Sequence, residues 1–160
     1  MPSRWLVAYD FSRSADAALD LAIDELGERG GELILVHAYA VPDVPASMPW
    51  SEADAPLPST NDLERTLTFE VAKAVERVAE NARARAPSIE VETLLVRGPP
   101  AESIVDAAKH RRVERIIVGT HGRTGLSHLL LGSVAERVLR LADVPVLVVK
   151  TPEAAETRGD

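Results

Sequence analysis

The stretch Gly119–Val134 reads GTHGRTGLSHLLLGSV and lies between an apolar run, 115–118, and a helical pattern that begins near Ser133. A buried strand, a glycine-rich loop and a helix start in this order are typical of phosphate sites. Glycines let backbone N–H groups approach an anion, and the helix start adds unpaired donors and a positive dipole. Neither common phosphate loop, G-x-x-x-x-G-K-[ST] or G-x-G-x-x-G, is present. The stretch therefore indicates a phosphate or nucleotide site of another kind.

Short apolar runs alternate with helical patterns along the whole chain, and the runs cover residues 5–9, 33–38, 89–96, 115–118 and 146–149. Continuous apolar runs fit strands that are covered on both faces of a parallel sheet. Right-handed crossovers then leave doubly wound topologies. We predict a single-domain α/β fold with an open parallel five-stranded sheet in the order 3-2-1-4-5, and the partly alternating third strand is expected at an edge.

Local signals set the expected helix ends. Ser12 or Ser14 is expected to cap the first helix. The second helix, from about residue 61 to 86, has a predicted buried stripe that includes Leu67. Ser133 with Glu136 three residues later predicts a capping box at the start of the fourth helix, which explains Ser133 without any ligand. From these residues alone, a phosphate at Ser133 and a purely structural cap are equally favoured.

Composition restricts the class of protein. The chain has 160 residues, 46% hydrophobic content, no cysteine and a net charge of −7. Absent cysteine excludes disulfides and thiolate metal sites, and the acidic balance argues against general nucleic-acid binding. No signal peptide and no membrane-spanning apolar run are visible. We expect a cytoplasmic protein that binds neither membranes nor nucleic acids.

Two segments fall outside the regular pattern of the domain predicted over residues 1–150. Residues 41–60 form a proline-rich, acidic insertion loop without a basic residue, and 151–160 form a tail expected to be disordered. An insertion of this length fits a cover over a ligand or a partly disordered excursion equally well.

The predicted strand order brings two loops together. Ligands of open α/β sheets bind beyond the carboxyl ends of the strands, where the strand order reverses, here between strands one and four. Asp10 follows strand one and Gly119 ends strand four. Gly119 and Gly122 are expected where a side chain would block a ligand's close approach. The Asp10 carboxylate has an alternative role as a helix cap.

The glycine spacing carries a family resemblance. Gly119, Gly122, Gly132 and Ser133 match G-x2-G-x9-G-S without a gap. This pattern resembles the ATP-binding branch of the universal stress protein family. The turn Asp10-Phe11-Ser12, the segment from Gly98 to Ile104 and the closing strand Pro145–Val149 are similar to further motifs of the family, so the likeness covers nearly the whole chain. It implies a Rossmann-like fold of the adenine nucleotide alpha hydrolase type.

The resemblance also implies a nucleotide position. Asp10 would lie beside the ribose and the triphosphate, and would meet Mg²⁺ only indirectly, because the nucleotide carries the ion. The backbone of Ala38 would pair with the adenine edge. The remaining residues that the resemblance places around ATP (or ADP or AMP) are Ala8, Tyr9, Val118, Gly119, Gly122, Arg123, Gly132, Ser133 and Val134. Arg123 fits a γ-phosphate contact and a solvated loop arginine equally well.

Other side chains give weaker signals. His121 and His128 lie seven residues apart in the glycine loop without a carboxylate third ligand, so loop packing is favoured over a metal pair or a general base. His37 ends a buried strand and is interpreted as a cleft residue with its hydrogen bonds satisfied. Thr124 and Ser127 would be the acceptors if the protein autophosphorylates.

Three functions are compatible with these residues. The first is an ATP-binding stress-response or signalling module controlled by nucleotide occupancy. The alternative is a slow ATPase or autophosphorylating phosphoryl-transfer protein, but no P-loop lysine, kinase catalytic loop or base is apparent, and no catalytic residue is assigned. A nucleotide-free interaction module is disfavoured by the intact glycines.

The fifth strand predicts an assembly. Val146–Val149 is an apolar edge strand flanked by Pro145 and Lys150. Exposed edges of this kind favour pairing with another strand. We predict a homodimer through antiparallel pairing of these strands, and the family resemblance implies the same.

Overall fold

The computed structural model describes residues 3–40, 60–120 and 131–151, with the side chains of Thr60, Asn61 and Leu63 excepted. Most of the predicted 41–60 insertion and of the 151–160 tail lies outside these ranges, and the single domain over 1–150 stays a prediction. The strands are β1 (Ser3–Ala8), β2 (Gly31–Tyr39), β3 (Ile89–Arg97), β4 (Arg115–Gly119) and β5 (Val146–Val149). The helices are α1 (Arg13–Arg29), α2 (Thr60–Arg85), α3 (Pro100–Arg111) and α4 (Ser133–Leu141).

The five strands form one sheet in the order β3-β2-β1-β4-β5, and every neighbouring pair is parallel. The predicted fold class and strand order are therefore confirmed, including β3 at an edge. In the described part of the chain, no helix is long and apolar enough to cross a bilayer. The expected cytoplasmic location stays a prediction.

Alternation along the strands divides the core into two layers. Val7 and Leu35 face α1 and α2, whereas Leu6 and Ile34, one residue earlier on each strand, face α3 and α4. All four side chains have no exposed surface. Full burial of such a side chain contributes about 1.5–3 kcal/mol, so both faces of the central strands stabilise the fold. This explains why the central strands read as continuous apolar runs.

The second helix differs from its predicted pattern. Its C-terminal half carries the buried residues Val75, Ala79 and Ala82, but no described side chain between 62 and 74 is buried. Leu67, expected in the buried stripe, is 50% exposed. That part of the prediction is wrong, because helical periodicity specifies a face of α2 and not how far along the helix that face stays covered.

The two edges of the sheet are finished differently. At the β3 edge, Arg83 of α2 donates from Nε and Nη2 to the Val91 carbonyl oxygen, over 3.2 and 2.7 Å. Glu76 accepts from Arg83 Nη1 at 2.6 Å and from Thr93 Oγ1 at 3.0 Å. These two hydrogen bonds hold the pKa of Glu76 below its ordinary value. At the other edge, β5 is four half-buried apolar residues. Side chains therefore occupy part of the β3 edge.

Candidate functional site at the carboxyl edge of the sheet

The site lies where the chain leaves β1 and β4 in opposite directions. After β1 the chain enters α1, which packs on one face of the sheet, and α4, which follows β4, packs on the other. Because β1 and β4 are neighbours, their diverging connections leave a crevice at their carboxyl ends. This is the position predicted from the strand order.

A cavity of about 450 Å³ occupies this crevice. Among the residues nominated from the sequence, the cavity is lined by Ala8, Tyr9, Asp10, Ala38, Val118, Gly119, Gly132, Ser133 and Val134. Gly122 and Arg123, the remaining nominated residues, lie outside the described residues, as do His121, Thr124, Ser127 and His128. Every nominated residue that the structure describes thus borders one space.

The turn from β1 to α1 is held by its own side chains. Asp10 Oδ1 accepts from the Ser12 N–H at 3.0 Å, and Ser12 Oγ accepts from the Ala15 N–H at 3.2 Å. Ser12, one of the two expected caps, is the N-cap of α1. Phe11, which lies between Asp10 and Ser12, has a φ of 65°, a conformation that costs a non-glycine residue about 1–2 kcal/mol. Its ring lies 5.2 Å from each of the rings of Tyr9 and His37, and these contacts hold the turn in place.

The start of α4 corrects one prediction. The N-cap is Gly132, and the first helical hydrogen bond runs from the Glu136 N–H to the Gly132 carbonyl at 2.9 Å. Ser133 is therefore the first helical residue, and the predicted Ser133–Glu136 capping box is wrong. Glu136 instead accepts from Arg140 Nη2 at 2.7 Å. Gly132 is fixed by its own N–H, which donates to the Thr120 carbonyl at 2.7 Å. This tertiary hydrogen bond, which a local pattern does not contain, sets the helix start.

Gly119 has a packing role that the sequence did not indicate. A Cβ atom on Gly119 would lie 2.7 Å from both the Cβ and the carbonyl carbon of Ser14, distances that real Cβ atoms do not show. Ser14 is buried in the first turn of α1. Glycine is needed here because β4 passes directly against α1, whatever else approaches the cavity. The expectation that a side chain here would also block a ligand stays a prediction.

The polar groups of the cavity are unevenly distributed. Asp10 is the one charged residue among the described lining residues, and no lysine or arginine belongs to that set. The N-terminus of α4 contributes positive dipole on the opposite wall. The Tyr9 hydroxyl donates to Asp16 Oδ1 at 2.5 Å, and burial followed by this hydrogen bond raises its pKa far above the ordinary value. Tyr9 is thus a neutral wall residue.

Metal binding by the chain alone finds no support in the described residues, where no group of three or more His, Asp or Glu side chains is placed to hold an ion. The chemistry of the lining fits a divalent cation that arrives with a ligand and meets one carboxylate. The sequence analysis expects such an ion, Mg²⁺ carried by the nucleotide, and this expectation stays a proposal.

Sequence reasoning missed part of the lining: Ser12, Ala15, Val36, Pro100, Ile104, Thr120, Leu131 and Ala135 also border the cavity. Pro100 and Ile104 start α3, whose first turn therefore forms one wall. The sequence contains a signal for this wall, since the segment from Gly98 to Ile104 is similar to a motif of the family. It was given no role in the site, since helical periodicity assigns Ile104 to the core.

The comparisons with known proteins agree with this architecture. The sequence profile described as "Universal stress protein family" matches residues 1–150. Universal stress protein YxiE of Bacillus subtilis is 32% identical over 150 residues, covering 94% of this chain and 100% of YxiE. Universal stress protein Rv2005c of Mycobacterium tuberculosis is 36% identical over 145 residues, which are 91% of this chain but 44% of that longer protein. The chain belongs to the universal stress protein family.

Solved structures show the same fold. The hypothetical protein MJ0577 superimposes with a TM-score of 0.75 at 29% identity, covering 94% of this chain and 97% of that chain. A universal stress protein in complex with cAMP gives a TM-score of 0.62 at 24% identity and covers 92% and 96%. A family protein from Arabidopsis thaliana with AMP bound gives 0.58 at 18% identity and covers 99% and 98%. At these last two identities the likeness shows the fold alone.

Proposed function

We propose that this chain is an ATP-binding universal stress protein in which nucleotide occupancy of the cavity sets a stress-response or signalling state. The observation that carries the proposal is that one cavity, of about 450 Å³, is bordered by every nominated residue that the structure describes. Its volume lies in the range of small-molecule sites, about 300–1,000 Å³. Relatives of the same fold whose structures hold cAMP and AMP make adenine nucleotides the first ligands to test.

The lining supports one orientation of the ligand. Apolar side chains, among them Val36, Ile104 and Val118, suit a purine ring beside the Ala38 backbone. Gly132, Ser133 and Val134 suit phosphates, because the first-turn N–H groups and dipole of α4 favour an anion and a glycine N-cap brings no side-chain acceptor for them. Ala8, Tyr9 and Gly119 form the wall between the two ends. The proposal includes Gly122 and Arg123 on the phosphate side.

Asp10 requires a counter-ion in this arrangement. A carboxylate beside a triphosphate is repulsive unless a cation joins them, and Mg²⁺ bound to the nucleotide is such a cation. The Asp10→Asn variant keeps the Oδ1 atom that accepts from the Ser12 N–H. We expect ATP binding by the unmodified protein to strengthen with Mg²⁺, and this strengthening to be smaller in Asp10→Asn.

Calorimetric titration with ATP, ADP, AMP and cAMP, each with and without Mg²⁺, tests the proposal. We expect saturable binding of at least one adenine nucleotide with a stoichiometry of one per chain. Mass spectrometry of small molecules released from protein purified without added nucleotide identifies a retained ligand. Absence of binding at millimolar nucleotide with Mg²⁺ would overturn the proposal.

We also propose the homodimer through β5, on the direction of its backbone groups. Ile116 N–H donates to the Pro145 carbonyl and Thr120 N–H to that of Val149, so odd-numbered residues of β5 pair with β4. By alternation, the N–H and C=O groups of Val146 and Val148 point away from the sheet.

Val148→Pro removes one outward N–H group and should give a monomer by light scattering. Val148→Thr, which keeps that group, should stay dimeric. A monomeric mass for the unmodified protein at micromolar concentration would contradict the dimer.

A further inference from the structure

The hydrogen-bond ladder between β1 and β2 stops one step early. Its register runs from Ser3 beside Gly31 to Ala8 beside Val36, and its last bond joins the Tyr9 N–H to the Val36 carbonyl at 2.8 Å. In a regular parallel ladder, the next bond would run from the Ala38 N–H to the Tyr9 carbonyl. The pairing does not extend to that position. The Tyr9 carbonyl therefore does not have the backbone donor that a regular ladder would give it.

The His37 side chain takes that place. Its Nδ1 atom lies 2.7 Å from the Tyr9 carbonyl oxygen, and the residue is only 5% exposed. Since a carbonyl oxygen only accepts, Nδ1 carries the proton. The Phe11 ring, 5.2 Å away, packs against the imidazole. A side chain thus replaces a backbone donor at the end of the β1–β2 ladder.

This substitution leaves the Ala38 backbone facing the cavity. Backbone groups of successive strand residues point to opposite sides, and the Val36 carbonyl points to β1, where it accepts from Tyr9. The Tyr39 carbonyl points the other way and accepts from the Gly98 N–H at 3.0 Å. The N–H and C=O groups of Ala38 therefore point towards the space that β1 has left, and Ala38 lines the cavity.

We infer that His37 is a positioning residue that gives the site its preference for one class of base. By holding the Tyr9 carbonyl, it stops the ladder from closing over Ala38 and presents one backbone donor and one acceptor side by side. This inference rests on the proposed function, because it assigns the base end of the same cavity.

The backbone N–H and C=O groups of Ala38 are complementary to a 6-aminopurine. Adenine offers an acceptor at N1 beside a donor at its 6-amino group, which complements an N–H and a C=O of the chain. Hypoxanthine offers a donor at N1 and an acceptor at O6, so both positions oppose the same backbone groups. An unsatisfied buried donor or acceptor costs about 1–3 kcal/mol, which corresponds to about 5- to 150-fold in affinity. We therefore expect ATP to bind at least about tenfold more tightly than ITP.

Two substitutions at His37 separate positioning from packing. His37→Asn keeps an N–H donor close to the backbone and should keep the ratio of the ITP and ATP dissociation constants near that of the unmodified protein. His37→Phe keeps an aromatic ring but has no donor, so the Ala38 N–H is released to the Tyr9 carbonyl. We expect its ITP to ATP ratio to fall to within about threefold of unity. Leu35→Ala, on the same face of β2, is the control, and it should lower stability without changing the ratio.

A measurement on the ligand-free protein tests the same point without nucleotide. Amide hydrogen exchange should show Ala38 unprotected in the unmodified protein and protected in His37→Phe, and ¹⁵N spectra should show the His37 proton on Nδ1. A protected Ala38 amide in the unmodified protein, or an unchanged ITP to ATP ratio in a folded His37→Phe, would overturn the inference. Failure of every nucleotide to bind the unmodified protein would instead overturn the proposed function. The exchange experiment would still show whether His37 keeps the Ala38 N–H out of the β1–β2 ladder.

Discussion

Of the three helices that begin beside the cavity, α1 and α4 have N-termini that are completed in different ways. In α1, Ser12 caps the first turn and Asp10 accepts from the Ser12 N–H, so the chain supplies its own acceptors. In α4 the cap is Gly132, which has no side chain to offer. An uncapped first turn leaves N–H donors to be satisfied by water or a ligand. The side-chain cap stabilises α1, whereas the uncapped first turn of α4 agrees with the proposal that this helix start binds the phosphates.

Gly132→Asp is expected to have the largest effect, because it would give α4 the kind of cap that α1 has. The φ of −61° and ψ of 149° at Gly132 suit any residue, so backbone strain is not introduced. The carboxylate would accept from the first-turn N–H groups and repel phosphate. We expect ATP affinity to fall by about 100-fold in calorimetry, while the free energy of unfolding rises by only about 0.2–0.5 kcal/mol. Gly132→Ala is the control, and equal affinity in the aspartate variant would break the comparison.

Gly119→Ala is expected to have the next largest effect, and it concerns stability. The new methyl group would meet the Cβ and carbonyl carbon of Ser14 at 2.7 Å and push β4 away from the first turn of α1. We expect a loss of about 1–3 kcal/mol in the free energy of unfolding, measured in urea. Adding Ser14→Gly should recover only part of the loss, because the carbonyl carbon remains. An unchanged stability would show that α1 is not seated against β4 as described.

Ser12→Ala removes the side-chain cap of α1. Its hydroxyl accepts from the Ala15 N–H, so we expect a loss of about 1 kcal/mol of stability in thermal or urea unfolding. Nucleotide affinity should change by less than about threefold, since the proposed function places the phosphates at the start of α4 and not of α1. Ser12→Asp, which keeps an acceptor, should retain the stability. A large loss of affinity in Ser12→Ala would mean that both helix starts hold the ligand.

Glu136→Ala is expected to have the smallest effect. In a capping box this side chain would contribute about 1 kcal/mol, whereas an exposed i,i+4 pair with Arg140 contributes less than about 0.5 kcal/mol. The structure has the second arrangement, with side chains 51% and 76% exposed. We therefore expect a change in unfolding free energy below about 0.5 kcal/mol, and similar values for Arg140→Ala. A loss near 1 kcal/mol would restore the capping box that the structure rejects.

The strands and the sheet order were predictable from the sequence, because they follow from periodic patterns of apolar residues. The apolar run Val146–Val149 was predicted with the bounds that the structure gives β5, and the alternation of strands and helices gave the sheet order. These features follow from local periodicity together with the handedness of crossovers. The position of the cavity followed from the same order.

What escaped prediction depends on contacts between distant segments. Gly119 is required by Ser14, and the start of α4 is set by a hydrogen bond from Gly132 to Thr120. His37 was interpreted only as a satisfied cleft residue. The sequence does not show that its partner is the Tyr9 carbonyl, or that Ala38 loses a ladder bond as a result. Such roles arise only when the strands are placed side by side.

The hydrogen bonds from Arg83 to the Val91 carbonyl have a consequence for the growth of the proposed β5 dimer. A sheet with two open sides recruits copies without end and lengthens into a filament, whereas a sheet with one open side is complete after a single two-fold addition. The Arg83 guanidinium takes one of the outward carbonyls of β3, that of Val91, which leaves this edge a poorer template for a further copy than β5. If the proposed β5 dimer forms, Arg83 would favour an assembly that stops at two copies over one that lengthens into a filament.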